Sequence, residues 1–428
     1  MTDIRFKGFL RSFQMLDISH VKRSAIYAAA VIGVVVALFP ASAAAVTQQI
    51  RAVFYPDASN PQFNKFENRT PLSGFCLDNP PQCHAENLFS LRLPILSYSN
   101  ATIVGGHTNK RLGPMFNIPS QWQTVTVSHP TAPPQTVRFR VAGMGVAYTL
   151  PLSAPELTGG LGHDYLFEGG TWSYAGPPCT GLMGAGNDIG FNSFWRHPVS
   201  AEICAKKAVF DIPQPFKYET FDITYELDTP NPQDMVSGQY TGQHIFRVGP
   251  SQDFDLGDVM IPQDNVIVLD FLLDVEHVLK VDIPPGGEKI QLTPAGGWQR
   301  WLHAGRKPVR LFRDQTFNIS ASSRFKMFLQ CSITDGRVCF MADRDLILSA
   351  PLKVSVSLPG GLTDSAGRPV QRQELVTEGG AVTFQPGHYV DRKPGTLHFE
   401  LEKPDHFFLP GAPKQYFSGV TVIWDSEI

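Results

Sequence analysis

Charge is scarce in this sequence. Charged residues occupy 18% of its 428 positions, against a usual quarter, and the formal net charge is −3. Such a chain has no surplus of positive charge with which to neutralise a phosphate backbone, so nucleic acid is not expected as a partner. Hydrophobic residues still make up 43% of the chain, which is enough for a large core and excludes global disorder.

Sequence motifs typical of enzyme active sites are also missing. The sequence contains no G-x-S-x-G, H-E-x-x-H or P-loop string, and its 12 His residues are scattered. A retaining glycosidase needs two carboxylates about 5 Å apart. Nothing in the spacing of the available acidic residues requires that geometry: Asp164, Glu168, Asp188 and Glu202. We therefore expect no enzymatic activity and no cofactor.

Long segments without Gly or Pro are rare. The chain has 37 Gly and 35 Pro, together about 17% of its 428 residues against a usual share of about 12%. This content excludes long helical bundles and coiled coils. Period-two alternation recurs instead, in residues 122–127, 137–141, 352–358 and 397–402. Alternate side chains share one face of a strand, and Gly-rich and Pro-rich turns separate these segments, so the pattern predicts β-sandwiches.

One long apolar run occurs, from Ala25 to Phe39. Two basic residues, Lys22 and Arg23, precede it, and a stretch of small residues follows. This order is typical of a secretory signal peptide with cleavage after Ala45, so we expect residues 1–45 to be removed and the protein to be exported. The alternative is a transmembrane anchor, since Ala25 to Val46 is about long enough to span a bilayer.

The 6 cysteines are even in number and occur as close couples. Pairing each cysteine with its nearest neighbour needs the least chain closure, which predicts three local disulfides: Cys76 with Cys83, Cys179 with Cys204, and Cys331 with Cys339. A zinc site is the alternative, but no C-x-x-C or H-x-x-x-H pair accompanies the cysteines. Because an oxidising compartment also favours disulfides, no metal is expected.

A break in the strand pattern divides the mature chain. Strand-breaking residues cluster at 227–233 and 249–252. The next long apolar segment, residues 266–273, is read as the start of a new domain. We therefore predict a first domain at residues 46–250 and a second at residues 258–428.

The last segment, residues 416–425 (YFSGVTVIWD), alternates strictly. Val420, Val422 and Trp424 would share one strand face behind Gly419. If this strand borders an open groove, the sequence has no later segment to cover it, and another chain must lend a strand. The alternative is an ordinary terminal strand in a complete sandwich.

Further stretches carry a family resemblance: residues 62–69 (QFNKFENR), 73–76 (SGFC) with Cys83 after it, 88–95 (LFSLRLPI), 296–299 (GGWQ) and 312–320 (FRDQTFNIS). With the final strand, they make the chain resemble the two-domain tip adhesins of Gram-negative fimbriae assembled by the chaperone-usher pathway. It looks closest to the alternate-chaperone branch. The likeness covers essentially the whole mature chain, and none of these stretches is a catalytic signature.

The resemblance implies an all-β fold of two immunoglobulin-like, Greek-key sandwich domains in tandem, the C-terminal one an incomplete pilin fold lacking its last strand. It also implies a mechanism of assembly. A periplasmic chaperone fills the groove first, and the N-terminal extension of an adjacent pilin subunit later replaces it by donor-strand exchange, with an outer-membrane usher as a further partner. By this resemblance Gly419, Val420, Val422 and Trp424 line the groove.

The same resemblance implies export through the periplasm to the cell surface, at a fimbrial tip. A shaft subunit needs a free N-terminal donor segment, whereas residues 47–54 have the pattern of the first strand of a folded domain. The alternative is a structural minor pilin or adapter without receptor binding. An unstructured arm after Ala45 would favour that alternative.

The first domain is expected to bind a host or surface receptor, with a glycan as the favoured class. The Gly-rich stretch between Leu161 and Cys204 contains aromatic rings suited to stacking on sugars and polar groups suited to binding hydroxyls: Asp164, Trp172, Tyr174, Asn187, Asp188 and Trp195. The alternative is that the Trp side chains belong to the core and the Gly residues to turns.

Overall fold

The structure, a computed structural model, describes residues 2–4, 45–409, 411–412 and 415–426, with residues 2–4 and 406 described by their backbone alone. Apart from residues 2–4 and Ala45, the predicted signal peptide lies outside the described residues. The fold is all-β, as predicted, with a few short helices.

In chain order the strands are β1 (Thr2–Ile4), β2 (Val46–Phe54), β3 (Glu67–Asn68), β4 (Phe89–Leu93), β5 (Ser97–Ser99), β6 (Met115–Phe116), β7 (Gln123–Val127), β8 (Gln135–Thr149), β9 (Thr180–Gly186), β10 (Gly190–Arg196), β11 (Cys204–Ala205), β12 (Lys217–Asp228), β13 (Gly238–Arg247) and β14 (Met260–Pro262). The later strands are β15 (Val266–Val275), β16 (Leu279–Asp282), β17 (Lys289–Ile290), β18 (Thr293–Pro294), β19 (Arg310–Ala321), β20 (Phe325–Cys331), β21 (Cys339–Ala342), β22 (Ser349–Ser357), β23 (Leu362–Asp364), β24 (Gln373–Leu375), β25 (Val382–Pro386), β26 (Val390–Glu402) and β27 (Gly419–Ser426).

Helices are short and lie in the connections between strands. They are α1 (Phe75–Asp78), α2 (Pro80–Glu86), α3 (Ala154–Thr158), α4 (His163–Leu166) and α5 (Gln299–Ala304). In the part of the chain that the structure describes, no helix combines the length and apolarity needed to cross a bilayer.

The first hydrophobic core, between Ile50 and Val275, lies between two sheets. One sheet has the order β14, β5, β12, β8, β10, β9, with β4 beside β12 and β7 beside β8, and the other has the order β13, β15, β2, β3. The ring of Phe139 on β8 lies 5.9 Å from Phe246 on β13 and 5.0 Å from Phe271 on β15. These contacts across the sheets make this half a β-sandwich.

The second hydrophobic core, between Ile290 and Val422, has the same architecture. One sheet has the order β17, β1, β27, β20, β25, β23, and the other has the order β16, β19, β26, β22, β21, with β18 beside β19 and β24 beside β22. The ring of Phe317 on β19 lies 5.7 Å from that of Trp424 on β27. The last strand of the chain therefore packs across the sandwich.

The two cores divide later along the chain than the sequence predicted. β15, expected to open the second domain, pairs antiparallel with β13 and parallel with β2. Its side chains alternate, and Ile267, Leu269, Phe271 and Val275 are buried in the first core. The predicted boundary at 250–258 differs from this division because both hydrogen-bonding edges of β15 are occupied by strands of the first core. Apart from β1, the strands that pack on the second core begin with β16.

The three predicted local disulfides are confirmed. Cys76–Cys83 joins α1 to α2, which pack over the outer face of β8. Cys179–Cys204 joins the loop before β9 to β11, and Cys331–Cys339 joins the end of β20 to β21. Each bridge therefore fixes loops or strand ends around a core.

Candidate functional site

The final strand, β27, has one fully paired edge. It runs antiparallel to β20 from Val420 opposite Cys331 to Ser426 opposite Phe325. Val420 and Val422 are buried, while Gly419 and Trp424 are half-buried. The alternation predicted from the sequence is therefore present, with valine side chains directed into the second core.

The other edge of β27 is almost open. Its neighbour there is β1, which pairs parallel through Asp3 opposite Gly419 and Ile4 opposite Val420. β1 in turn separates β27 from Ile290 on β17. Among the described residues, no strand lies beside the second edge of β27 beyond Val420. The segment that fills the gap belongs to the predicted signal peptide, so the predicted mature chain would leave the gap empty.

A groove of about 550 Å³ includes Ile290, whose backbone partner is Thr2 of β1. The predicted groove residues Gly419, Val420, Val422 and Trp424 do not line it. Its walls are mostly aromatic and aliphatic, including Trp298, Trp301, Leu311, Phe407, Phe408 and Tyr416. The rings of Phe407 and Tyr416 stack at 3.8 Å. Burial raises the pKa of Tyr416. A chain segment with alternating apolar side chains would bury them in such walls.

Two of the predicted receptor residues belong to the core. The indoles of Trp172 and Trp195 are fully buried, 5.1 Å apart, and Nε1 of Trp195 donates a hydrogen bond to the backbone oxygen of Trp172 at 2.8 Å. Tyr148 and Phe116 pack against them. A ring enclosed by protein on both faces cannot stack on a ligand from solvent. Both tryptophans are therefore corrected from ligand contacts to core packing.

The other four predicted receptor residues are exposed. Tyr174 is 67% exposed, and Asp164 lies on α4. Asn187 shapes the turn between β9 and β10, because its Oδ1 accepts hydrogen bonds from the backbone N–H groups of Ile189 and Gly190. Asp188 also lies in this turn, and its backbone oxygen accepts a hydrogen bond from the N–H of Ala154. None of the four lines the cavity of about 410 Å³ found in this region.

That cavity is lined by residues that the sequence did not single out, chiefly Lys110, Lys206 and Lys207. The only local signal was a pair of lysines two positions after Cys204. Of the four carboxylates considered for glycosidase chemistry, Glu168 forms an ion pair with Lys207 at 2.6 Å. The other three are exposed to solvent.

One cluster has the residue types of a metal site. Cys179, His197 and Cys204 bring their ligand atoms within 4.8 Å of one another. The two sulfur atoms are bonded to each other, so they offer no thiolate to a metal. Burial lowers the pKa of His197 to about 4. In this disulfide form, the cluster belongs to the packing of the first core.

No protein-family model matches the chain, and no curated protein does. Among solved structures, the chain is similar to CfaE, the adhesive subunit of the CFA/I fimbria of enterotoxigenic Escherichia coli, and to a chaperone–tip adhesin complex of CFA/I fimbria biogenesis. Both are 9% identical with a TM-score of 0.23, and the alignments cover 90% of this chain and 98% and 97% of those chains.

It is also similar to the CsuC–CsuE chaperone–tip adhesion subunit complex of archaic chaperone-usher Csu pili of Acinetobacter baumannii, at 8% identity, a TM-score of 0.22, and coverage of 89% of this chain and 98% of that one. These three solved structures are of a fimbrial adhesive subunit and of chaperone–tip adhesin complexes.

Proposed function

We propose that the protein is a fimbrial tip adhesin. In this proposal, the second core accepts a β-strand beside β27, first from a periplasmic chaperone and then from an adjacent pilin subunit, and the first core carries the receptor site. The observation that carries the proposal is the edge of β27. Eight residues long, this strand has partners on that side at Gly419 and Val420 alone within the described residues.

The chemistry of this edge supports strand addition. Unpaired backbone N–H and C=O groups along an edge strand attract another strand, which is a hazard for a free protein. Buried valines on β27 and the aromatic groove beside Ile290 give an incoming strand apolar contacts in addition to backbone hydrogen bonds. The combination fits a site that another chain fills.

The position at the tip is supported by the opposite end of the mature chain. β2 pairs with β15 along its whole length, so Val46–Phe54 belongs to a sheet of the first core and is not a free donor arm. We assign residues 46–275 to a receptor-binding unit and residues 279–428 to a pilin-like unit, following the division between the two cores. Asp164, Tyr174, Asn187 and Asp188 remain candidate contacts for a glycan or another surface receptor.

The test is capture by the chaperone. The mature chain from Val46, co-expressed with the periplasmic pilus chaperone of the same gene cluster, should co-purify with it one to one. Trp301→Ala and Phe408→Ala, which remove groove walls, should reduce capture at least tenfold. The matched control is Phe63→Ala, which removes a 44% exposed ring from the other half and should leave capture unchanged.

A mature chain that is monomeric and stable without the chaperone would contradict the proposal. The adapter alternative is separated by a second assay. If the protein is an adhesin, purified pili carrying it should adhere to cells or to immobilised glycans. Pili that assemble with the chain but adhere to neither would favour a structural adapter.

A further inference from the structure

A cavity on the first core has the composition of an anion site. It encloses about 410 Å³, within the range of about 300–1,000 Å³ that small-molecule sites span. His107, Lys110, Glu168, Lys206 and Lys207 line it, and we call it the lysine pocket. It is separate from the groove beside β27, which lies in the other half of the molecule.

The walls of the lysine pocket are rigidly built. On one side lies the loop with Gly176, and on the other lies β11 with the residues after it. A Cβ atom at Gly176 would lie 2.0 Å from the backbone oxygen of Ala205, so only glycine permits this approach. The Cys179–Cys204 disulfide joins the same two segments. A pocket held in this way is preorganised and does not need to form around its ligand.

Lys206 is the unusual member of this pocket. Its side chain is only 3% exposed, although lysine is almost never fully buried unless it is paired. Its ammonium faces Gly169, where an added Cβ would lie 3.8 Å from Nζ. Within the described residues, this ammonium has no hydrogen-bond acceptor and no carboxylate partner. Nζ is not among the fully enclosed polar atoms without a partner, so the ammonium is reachable from the pocket. A partly desolvated cation without a counter-charge costs free energy that a bound anion would offset.

The remaining charges do not neutralise Lys206. Lys207 is paired with Glu168 at 2.6 Å, and Lys110 donates one hydrogen bond to the backbone oxygen of Ile203 at 3.4 Å. His107 uses both ring nitrogens, with Nδ1 3.0 Å from the oxygen of Asn109 and Nε2 accepting from the N–H of Ala208. The pocket therefore presents two ammonium groups without a carboxylate partner, one at the end of the largely buried Lys206 side chain and one on the exposed Lys110.

We infer that the lysine pocket binds an acidic sugar residue, with the carboxylate of the sugar held between Lys206 and Lys110. The hydroxyl of Thr108 and the carboxylate of Glu168, which also line the pocket, are available to the hydroxyl groups of the sugar ring. This inference deepens the proposed function and rests on it, because it assigns a chemical class to the receptor of the first core.

The volume and the charge together select this class. Inorganic sulfate or phosphate would neutralise the lysines but leave most of the 410 Å³ unfilled. A neutral sugar would fill the space but leave the Lys206 ammonium without a counter-charge. A sugar ring with one carboxylate satisfies both requirements. Burial lowers the pKa of Lys206 to about 8, and a carboxylate beside the ammonium would raise that pKa again.

The experiment measures binding to the full mature chain, in its chaperone complex if the chain needs one. The probes are glucuronic acid, N-acetylneuraminic acid, glucose and sodium sulfate, titrated by calorimetry at low salt. At least one acidic sugar should bind at least tenfold more tightly than glucose and sulfate. Lys206→Met should weaken its binding about 10- to 100-fold, the range expected for a hydrogen bond to a charged group.

The matched control is Lys65→Met, the same substitution at an exposed lysine outside the pocket, which should bind as the unaltered chain does. A second measurement does not depend on a variant. At pH 8, acetylation of Lys206 by an amine-reactive ester, mapped by mass spectrometry, should decrease several-fold when the bound acidic sugar is present, while acetylation of Lys65 should not change.

Three results would overturn the inference: acidic sugars that bind no better than glucose, sulfate that binds as tightly as the acidic sugar, or binding unaffected by Lys206→Met with no protection of Lys206. These failures differ from failure of the proposed function. Adhesion of assembled pili to neutral glycans would refute the acidic ligand and leave the adhesin intact. Loss of chaperone capture would refute the assignment of the pilin-like unit and would leave the inference about the lysine pocket unaffected.

Discussion

The two cores of this protein are both β-sandwiches, but they are closed differently. In the first, the last strand in sequence, β15, is an interior strand with β13 on one edge and β2 on the other. In the second, the last strand, β27, has β20 on one edge and three residues from the opposite end of the chain on the other. Within the described residues, β15 is paired along both edges, whereas β27 is paired along one edge and at Gly419 and Val420 alone on the other. In the proposed function, the second edge of β27 is where a partner adds its strand, and the first half recognises the ligand.

The largest expected effect on stability is at the centre of the first core. Trp172→Ala should lower the free energy of unfolding by about 4 kcal/mol, since it removes a fully buried indole that packs against Trp195, Tyr148 and Phe116. Denaturant unfolding monitored by circular dichroism, and thermal unfolding monitored by calorimetry, measure the change. The transition of the second core should stay where it is.

Tyr174 provides the control for that substitution. It is two positions away and 67% exposed, so Tyr174→Ala should change stability by less than about 0.5 kcal/mol. If Trp172→Ala left stability intact and abolished ligand binding, the assignment of Trp172 to the core would be contradicted.

Disulfide removal should distinguish the two halves next. Chain-entropy reasoning assigns about 3.5 kcal/mol to the Cys179–Cys204 bridge, with a separation of 25, and about 2.5 kcal/mol to Cys331–Cys339, with a separation of 8. Replacing each pair by serine should therefore destabilise the first core more than the second. The reverse order would show that strain or residual structure in the unfolded chain outweighs loop length.

Acid should also weaken the first core. Burial lowers the pKa of His197 from 6.5 to about 4, so the unfolded chain takes up a proton near pH 6.5 whereas the folded chain resists it. Stability should accordingly fall between pH 6.5 and pH 4, by about 3 kcal/mol in total, and become independent of this group below pH 4. Urea unfolding at pH 7.0, 5.5 and 4.0 measures the slope.

His197→Phe should flatten that profile in the first core. The exposed His84, changed to Gln, should leave the slope as it was. If His197→Phe kept the full acid sensitivity, other groups would have to account for it.

Much of this fold could be predicted from the sequence because alternation is a local signal. The strands β22, β26 and β27 contain segments in which hydrophobic and polar residues alternate strictly. β8 runs from Gln135 to Thr149, well past the alternating residues 137–141, because it is covered on both faces and its burial is nearly continuous. Alternation fails as a signal for such strands. The division between the cores was missed for another reason, since the parallel pairing of β15 with β2 joins segments some 220 residues apart.

The candidate site was less predictable, because burial is a tertiary property. An indole suits both a sugar platform and a core, and nothing near Trp172 or Trp195 in sequence distinguishes the two roles. Lysine is usually exposed, so the burial of Lys206 has no local signature either. The residues around the Cys179–Cys204 bridge did indicate the region of the lysine pocket, although not the side chains that line it.

The smallest expected effect tests the open edge directly. A peptide of residues 1–10 contains the segment that pairs with β27, and Ile4, Phe6 and Leu10 lie at alternate positions in it. Added to the mature chain at ten times its dissociation constant, the peptide should stabilise the second core by about 1.4 kcal/mol, because it binds the folded state alone. In calorimetry, the unfolding temperature of the second core should rise, whereas that of the first core should not change. An Ile4→Arg peptide is the control and should have no effect, because position 4 pairs with Val420, which is buried. If the peptide stabilised both cores equally or neither, the two halves would not differ in the way that their strand edges indicate.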